Sequence, residues 1–306
     1  MALGTNHVTN ATGAKFIPEI WSDEIIAAYK SNLVMANLVS KMSFKGKKGD
    51  TLHIPKPTRG SAAVKAASTQ VTLIAATESE VQVLVNKHYE YSRLIEDITE
   101  VQALSSMRKF YTGDAGYALA KQVDTHLVQL GRGAAGSNPE NSLYSGAVLA
   151  GDGSTAYVDG TNVGNAITDA GIRKMIQALD DADVPMDGRV MVLPPVARNT
   201  MMGLARFTEQ AFTGEIGGGN TIRNGKIGDV YGMTVYVSTN CDTPNTVTSR
   251  IGMMFHKEAF VLAEQQGVRS QTQYKQEYLG TLFTSDMLYG VAELRDDAAI
   301  TFALAA

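Results

Sequence analysis

The stretch from Arg93 to Leu130, RLIEDITEVQALSSMRKFYTGDAGYALAKQVDTHLVQL, constrains the fold more than any other part of the chain. Leu94, Ile98, Val101, Leu104, Tyr111, Ala115, Ala118, Leu119, Val123 and Leu127 recur every three or four positions, which draws one apolar stripe at helical period. No proline interrupts it. At about 1.5 Å of rise per residue a single helix here would run roughly 50 Å, longer than one compact domain spans. The expected molecule is extended, with a rod across it. Gly113 and Gly116 each cost about 1 kcal/mol in a helix interior, so two readings stand: a continuous rod, or two helices that break or kink near Gly113.

What flanks the rod is organised in distinct styles. Residues 1–15 are small and polar and read as an arm that orders only against a partner. Ser22 can cap a helix with Ile25, Ile26, Tyr29, Leu33 and Val34 on one face, reaching about Val39. Trp21 either anchors that helix within its own subunit or meets a neighbour. Between Lys41 and Tyr91, strand-like arms at 51–55, 71–75 and 80–91 enclose a segment, Ser61 to Ser68, that is nearly without large apolar residues. A two-stranded hairpin is marginal by itself in water, so this projection needs a support. Its basic cluster of Lys41, Lys45, Lys47, Lys48, Lys56, Arg59 and Lys65 is either a solvated face or reaches acidic neighbours.

After the rod, glycines at 131, 133 and 136 open a loop-rich stretch with short strands expected near Leu143 and Tyr157. An α/β unit follows. Thr168 caps a helix carrying Ile172, Met175, Ile176 and Leu179; Asp187-Gly188 turns into a buried strand over 189–193; and Pro194-Pro195 starts a second helix through Leu204. Residues 214–219 read as a glycine-rich loop, and 228–238 as a strand or hairpin. The last sixty residues give strands at 250–255, 260–264, 280–284, 288–295 and 299–304, expected as one antiparallel sheet along the rod, with 265–276 as a polar loop.

Composition and motifs then exclude several classes. A chain of 306 residues with 44% hydrophobic and 19% charged content can bury a real core. No apolar run is long enough for a membrane span, and the N-terminus lacks a signal-peptide core, so the expectation is a soluble protein made in the cytoplasm with no membrane partner. The net charge of −4 argues against dedicated DNA binding, which rests on neutralising phosphates. Cys241 is alone, so no intrachain disulfide is possible. The five histidines are scattered without metal-ligand spacing, Gly46 and Gly225 are not followed by Gly-Lys-Ser/Thr, and no GxSxG elbow occurs. Gly217 to Gly219 lacks the strand-to-helix context of a phosphate cradle, and Asp180, Asp181 and Asp183 read as a solvated helix end. No catalytic residue, cofactor or metal is expected.

The runs KFYTGDAGYALAKQVD (109–124), NGKIGDVYGMTVYVSTN (224–240), HKEAFVLAEQ (256–265) and MLYGVAELRDDAAI (287–300) resemble a tailed-bacteriophage major capsid protein. The order of parts is similar as well: arm, extended loop, long helix, axial domain, returning peripheral sheet. The resemblance implies an α+β, Hong Kong 97-like fold. It divides the chain into an N-terminal arm and helix at 1–42, an extended loop at 43–91, a peripheral domain with the spine helix at 92–135 and 246–306, and an axial domain at 136–245.

The implied function is self-assembly as hexamers and pentamers into an icosahedral shell around double-stranded DNA, within the virion, after synthesis in the host bacterial cytoplasm. The extended loop would lie across an adjacent subunit. On this reading the subunit-interface residues are Trp21, Lys47, Lys48, Lys56, Arg59, Lys65, Arg269, Lys275 and Glu277. Implied partners are a portal protein, a possible cement protein, weakly contacted DNA and a separate scaffolding protein, since no room is seen for a fused scaffolding segment. Two alternatives stand beside it: an encapsulin-like compartment, and an α/β enzyme using residues 167–240.

Overall fold

The computed structural model describes residues 33–46, 48–57, 60–71, 73, 78–102, 107–131, 148–157, 163–204, 229–243 and 249–305. The expected helix beginning at Ser22 falls mostly outside this set; its described end is α1 (Met35–Leu38). The glycine-rich loop at 214–219 and the strand expected near Leu143 also lie outside it.

Two sheets share the long helix as their common support. The first has strands in the order β1 (Ser40–Ser43), β11 (Phe260–Lys275), β12 (Gly280–Glu293), β4 (Lys87–Glu96). Its strands pair antiparallel except β1, which runs parallel to β11. The second, seven-stranded sheet joins β5 (Val148–Ala150), β6 (Ala156–Tyr157), β7 (Arg189–Leu193), β8 (Asp229–Val230), β9 (Met233–Val237), β10 (Ser249–His256) and β13 (Ala299–Ala305) in the order β6-β5-β13-β10-β7-β9-β8. A separate hairpin pairs β2 (Thr51–Pro57) with β3 (Glu78–Leu84).

The rod differs from its sequence reading at the front. Residues 93–96 are the end of β4, where Leu94 pairs with Leu282 and Ile95 with Thr281. Sheet pairing overrides the helical spacing of Leu94 because the backbone of β12 is available along the whole length of β4. Two helices follow, α2 (Asp97–Gln102) and α3 (Met107–Leu130). Helix α3 runs unbroken through Gly113 and Gly116, and a β-carbon at either would meet nothing within 4 Å. These glycines lower helix propensity without disturbing packing, and a length of about 36 Å remains.

Strand alternation explains the layers. In β11, Phe260 and Leu262 face the core under α3, whereas Val261 and Ala263 face Phe44, Val83 and Val85 at the root of the hairpin. All four are buried because this strand is covered on both faces, which removes the usual polar alternation. In the second sheet Met253 and Phe255 of β10 face the α3 core, while Met254, Met191, Leu193, Ile300 and Phe302 pack under α4 (Asp169–Asp181) and α5 (Pro195–Met202). The Thr168 hydroxyl accepts the Gly171 N–H at 3.0 Å, the expected cap, and Pro195 holds the first position of α5. Within the expected 228–238 segment, β8 and β9 form a hairpin over 229–237, turned by Tyr231 and Gly232 at φ 50° and 79°.

Three further strand expectations are corrected. The last strands form two sheets: β10 and β13 pair with each other and β10 with β7, while β11 and β12 pair with β1 and β4. Residues 265–275 are the outer part of β11, paired with β12 through Lys275 and Gly280. This ribbon is solvated on both faces, so its polar sequence hides its strand character. Val71 and Leu73 lie outside any strand and are exposed.

Candidate assembly surface

The hairpin of β2 and β3 is held at its base. Val83 and Val85 are buried with Phe44 against the outer face of β11, and the Val85 N–H donates to the Asp50 carbonyl at 2.7 Å. Gly290 of β12 permits this crossing, since a β-carbon there would overlap the Leu84 carbonyl oxygen. Every described residue from 60 to 73 is exposed, with Val64 at 101% and Leu73 at 90%. Residues 41–73 hold seven basic side chains and one acid, net +6 in a chain whose total is −4. The remainder is therefore acidic, and like-charged copies still present opposite charges to one another through this segment.

The expected interface residues are distributed unevenly. Trp21, Lys47 and Arg59 lie outside the described residues. Lys48, Lys56 and Lys65 are exposed along the hairpin, and Lys65 Nζ donates to the Ala66 carbonyl at 3.4 Å. On the β11–β12 ribbon, Glu277 is exposed in the turn at 276–278, and Lys275 is half-buried at the end of β11. Arg269 is engaged within its own chain: its guanidinium donates to both Asp286 carboxylate oxygens, at 3.0 and 2.8 Å.

Asp286 is a site residue that the sequence did not reveal. Besides Arg269 it accepts from Gln266 at 2.7 Å and lies 3.3 Å from His88 Nε2. The guanidinium of Arg269 first, with His88 and Gln266 after it, holds this carboxyl down at about 2. The cluster sits where β11 shifts register twice, between Glu264 and Gln266 and between Gln266 and Arg269. Bulges bend a ribbon, and this one leaves the core at that bend. At its far end Tyr274, Tyr278 and Leu279 are exposed beside Leu94 and Ile98, an apolar end to the ribbon. Tyr274 donates to the Asp97 carboxylate at 2.8 Å, and the Asp97 N–H to the Leu279 carbonyl at 3.0 Å, which fixes the tip against α2.

A second buried junction unites three segments. Asp124 of α3, 1% exposed, accepts the Met35 N–H at 2.8 Å and the Asn240 side-chain amide at 2.9 Å. It thereby ties the end of the N-terminal segment and the turn after β9 to the long helix. Burial pushes its pKa up against these hydrogen bonds. Cys241 next to it is buried, its thiol pushed up to about 12 mainly by burial, hence unreactive. Among the described residues no group of three or more His, Cys, Asp or Glu side chains could hold a metal ion. No described helix is long and apolar enough to cross a membrane.

Solved structures share this architecture. A chain from Mycobacterium phage Che8 is 23% identical and superposes with a TM-score of 0.74 over 94% of this chain and 97% of that one. The capsid structure of the cyanophage P-SCSP1u gives 18% identity and a TM-score of 0.75 over 99% and 97%. The mature capsid of bacteriophage PhiM1 gives 14% and 0.69 over 94% and 91%. Among curated proteins no sequence match is found. The fold is therefore that of Hong Kong 97-like capsid subunits, with its mixed α and β layers. The phage capsid protein family matches residues 107–301, and the chain belongs to it as a major capsid protein of the tailed-phage type. Its place is the virion capsid.

Proposed function

We propose that this chain forms hexamers and pentamers that close into an icosahedral shell around a double-stranded DNA genome, acting by geometry and without catalysis. The observation that carries the reading is the hairpin: the described residues among 60–73 are exposed, at the end of a segment, 41–73, whose net charge is +6. In a ring of subunits such a segment has an adjacent copy to lie across, and a heterologous contact of this kind repeats around the ring until it closes. The expected division follows, with an arm at 1–42, an extended loop at 43–91, a peripheral domain at 92–135 and 246–306, and an axial domain at 136–245. The strands β10 and β13 cross the 245/246 boundary in the sheet sense and lock the last two parts together.

Hairpin lysines and the ribbon tip are the interface residues on this reading. Trp21, Lys47 and Arg59 join them from sequence alone. DNA contact is weak, as the net charge of −4 requires. A scaffolding protein, a portal protein and a cement protein are proposed partners, and synthesis is assigned to the host bacterial cytoplasm. Neither the encapsulin-like nor the enzymatic alternative is favoured, because the family match is to phage capsid proteins.

Charge reversal on the hairpin provides the test. A Lys48→Glu, Lys56→Glu, Lys65→Glu variant is expected to keep its circular dichroism spectrum and unfolding midpoint, because all three side chains are exposed. Sedimentation of the purified chain should show assembly reduced by an order of magnitude or more, with subunits or small rings in place of shells. Unchanged shell yield would remove the hairpin from the interface.

A further inference from the structure

Helix α3 meets the first sheet through apolar residues, through the Tyr91 hydroxyl of β4 donating to Asp114 at 3.0 Å, and through a polar cluster centred on a histidine. His126 Nδ1 lies 2.7 Å from the Tyr289 hydroxyl of β12, and Nε2 lies 3.2 Å from both the Tyr89 hydroxyl of β4 and the Gln122 amide nitrogen of α3. The three rings pack together, with His126 5.2 Å from Tyr89 and 5.9 Å from Tyr289, centroid to centroid. Because an amide nitrogen only donates, His126 Nε2 is the acceptor. The ring proton therefore sits on Nδ1 and is donated to Tyr289. One neutral tautomer satisfies the whole cluster.

An imidazolium does not. With N–H groups on both nitrogens, the Gln122 amide would have to turn over to present its oxygen, and a charge would lie half-buried between two phenol rings. The titratable groups around the ring are Tyr89 and Lys87 from β4 and Tyr289 from β12; the ammonium of Lys87 is the charge that acts on it. The elements reaching α3 beside it, α1 and the turn after β9, do so through Asp124, whose carboxylate is already taken by Met35 and Asn240. Among the described residues no countercharge is offered.

We propose that His126 is an acid-sensitive latch between helix α3 and the four-stranded sheet, closed while the ring is neutral and released when it is protonated. Burial first, and Lys87 second, hold the imidazole down at about 4. The sign follows. An unfolded histidine takes up its proton near pH 6.5, so stability is complete above that value, declines as pH falls, and is lost through about 4. The latch is a property of the subunit and holds whether or not it is assembled.

Hydrogen exchange followed by mass spectrometry on the full chain tests it, at neutral pH and near pH 4, after correction for intrinsic exchange. Segments of α3 around His126 and of β12 around Tyr289 should lose protection by about a hundredfold on acidification, while α4 in the other sheet keeps its own. His126→Gln and His126→Phe, which cannot charge, should flatten the response. Equal losses in α3 and α4, or an unaltered acid response in either variant, would overturn the proposal. If neither variant folds, the comparison of α3 with α4 in the wild-type chain still decides it.

Discussion

Gly290→Ala is expected to destabilise the folded chain by about 3 kcal/mol, the upper part of the range for an overpacked core, because backbone would be forced against backbone. The added methyl would overlap the Leu84 carbonyl oxygen and press on Val85 Cα, so no side-chain rotation relieves it. Leu84 and Val85 are the root of the projecting hairpin, where Val83 and Val85 seal against β11. A shift there changes the angle at which the hairpin leaves the body. The urea unfolding midpoint of the full chain measures the first effect, and shell yield relative to the fraction folded measures the second. A midpoint within experimental error of the parent would show that the crossing is not tightly packed.

Asp124→Ala is expected to cost a similar amount, about 3 kcal/mol, by a different route. Removing the carboxylate strands the buried Met35 N–H, at a desolvation penalty of about 1–3 kcal/mol, and leaves the half-buried Asn240 amide its longer bond to the Thr125 hydroxyl at 3.2 Å. Asp124→Asn keeps one acceptor oxygen and should recover roughly half. Protease protection is the discriminating readout: the alanine variant should open near Met35 and near Asn240 together, since one side chain holds both. Opening at only one of them would mean that the junction is not shared.

Much of the second core was legible in the sequence because its signals are local. Thr168 at the start of α4, Pro195 at the start of α5 and the apolar run of the buried strand 189–193 each act within a few residues, and each stands where it was read. The ribbon was not legible. Outer β11 carries GVRSQTQYK, polar on both faces because it is wet on both, so no period marks it. Leu94 fits a helical stripe and a strand equally well, and only its partner Leu282 decides between them. Sheet membership of β10 and β13 likewise depends on β7, some sixty residues or more away.

The exposure of the proposed assembly surface was legible in outline. A basic stretch with small residues at 61–68 states its need for a support, and the hairpin has just that exposure. Asp124, His126 and Asp286 were missed because their partners are distant: Asn240 for the first, Tyr289 for the second and His88 for the third. A charged residue beside Val123 and Leu127 on the buried side of α3 is the one hint that the sequence offered for Asp124.

Negative-stain electron microscopy of the purified, tag-free chain, alone and with co-expressed scaffold candidates, tests the central claim most directly. Closed or aberrant shells tens of nanometres across, or rings of five and six subunits, are the predicted result. A monodisperse monomer or dimer under every condition would contradict the assembly proposed for this chain.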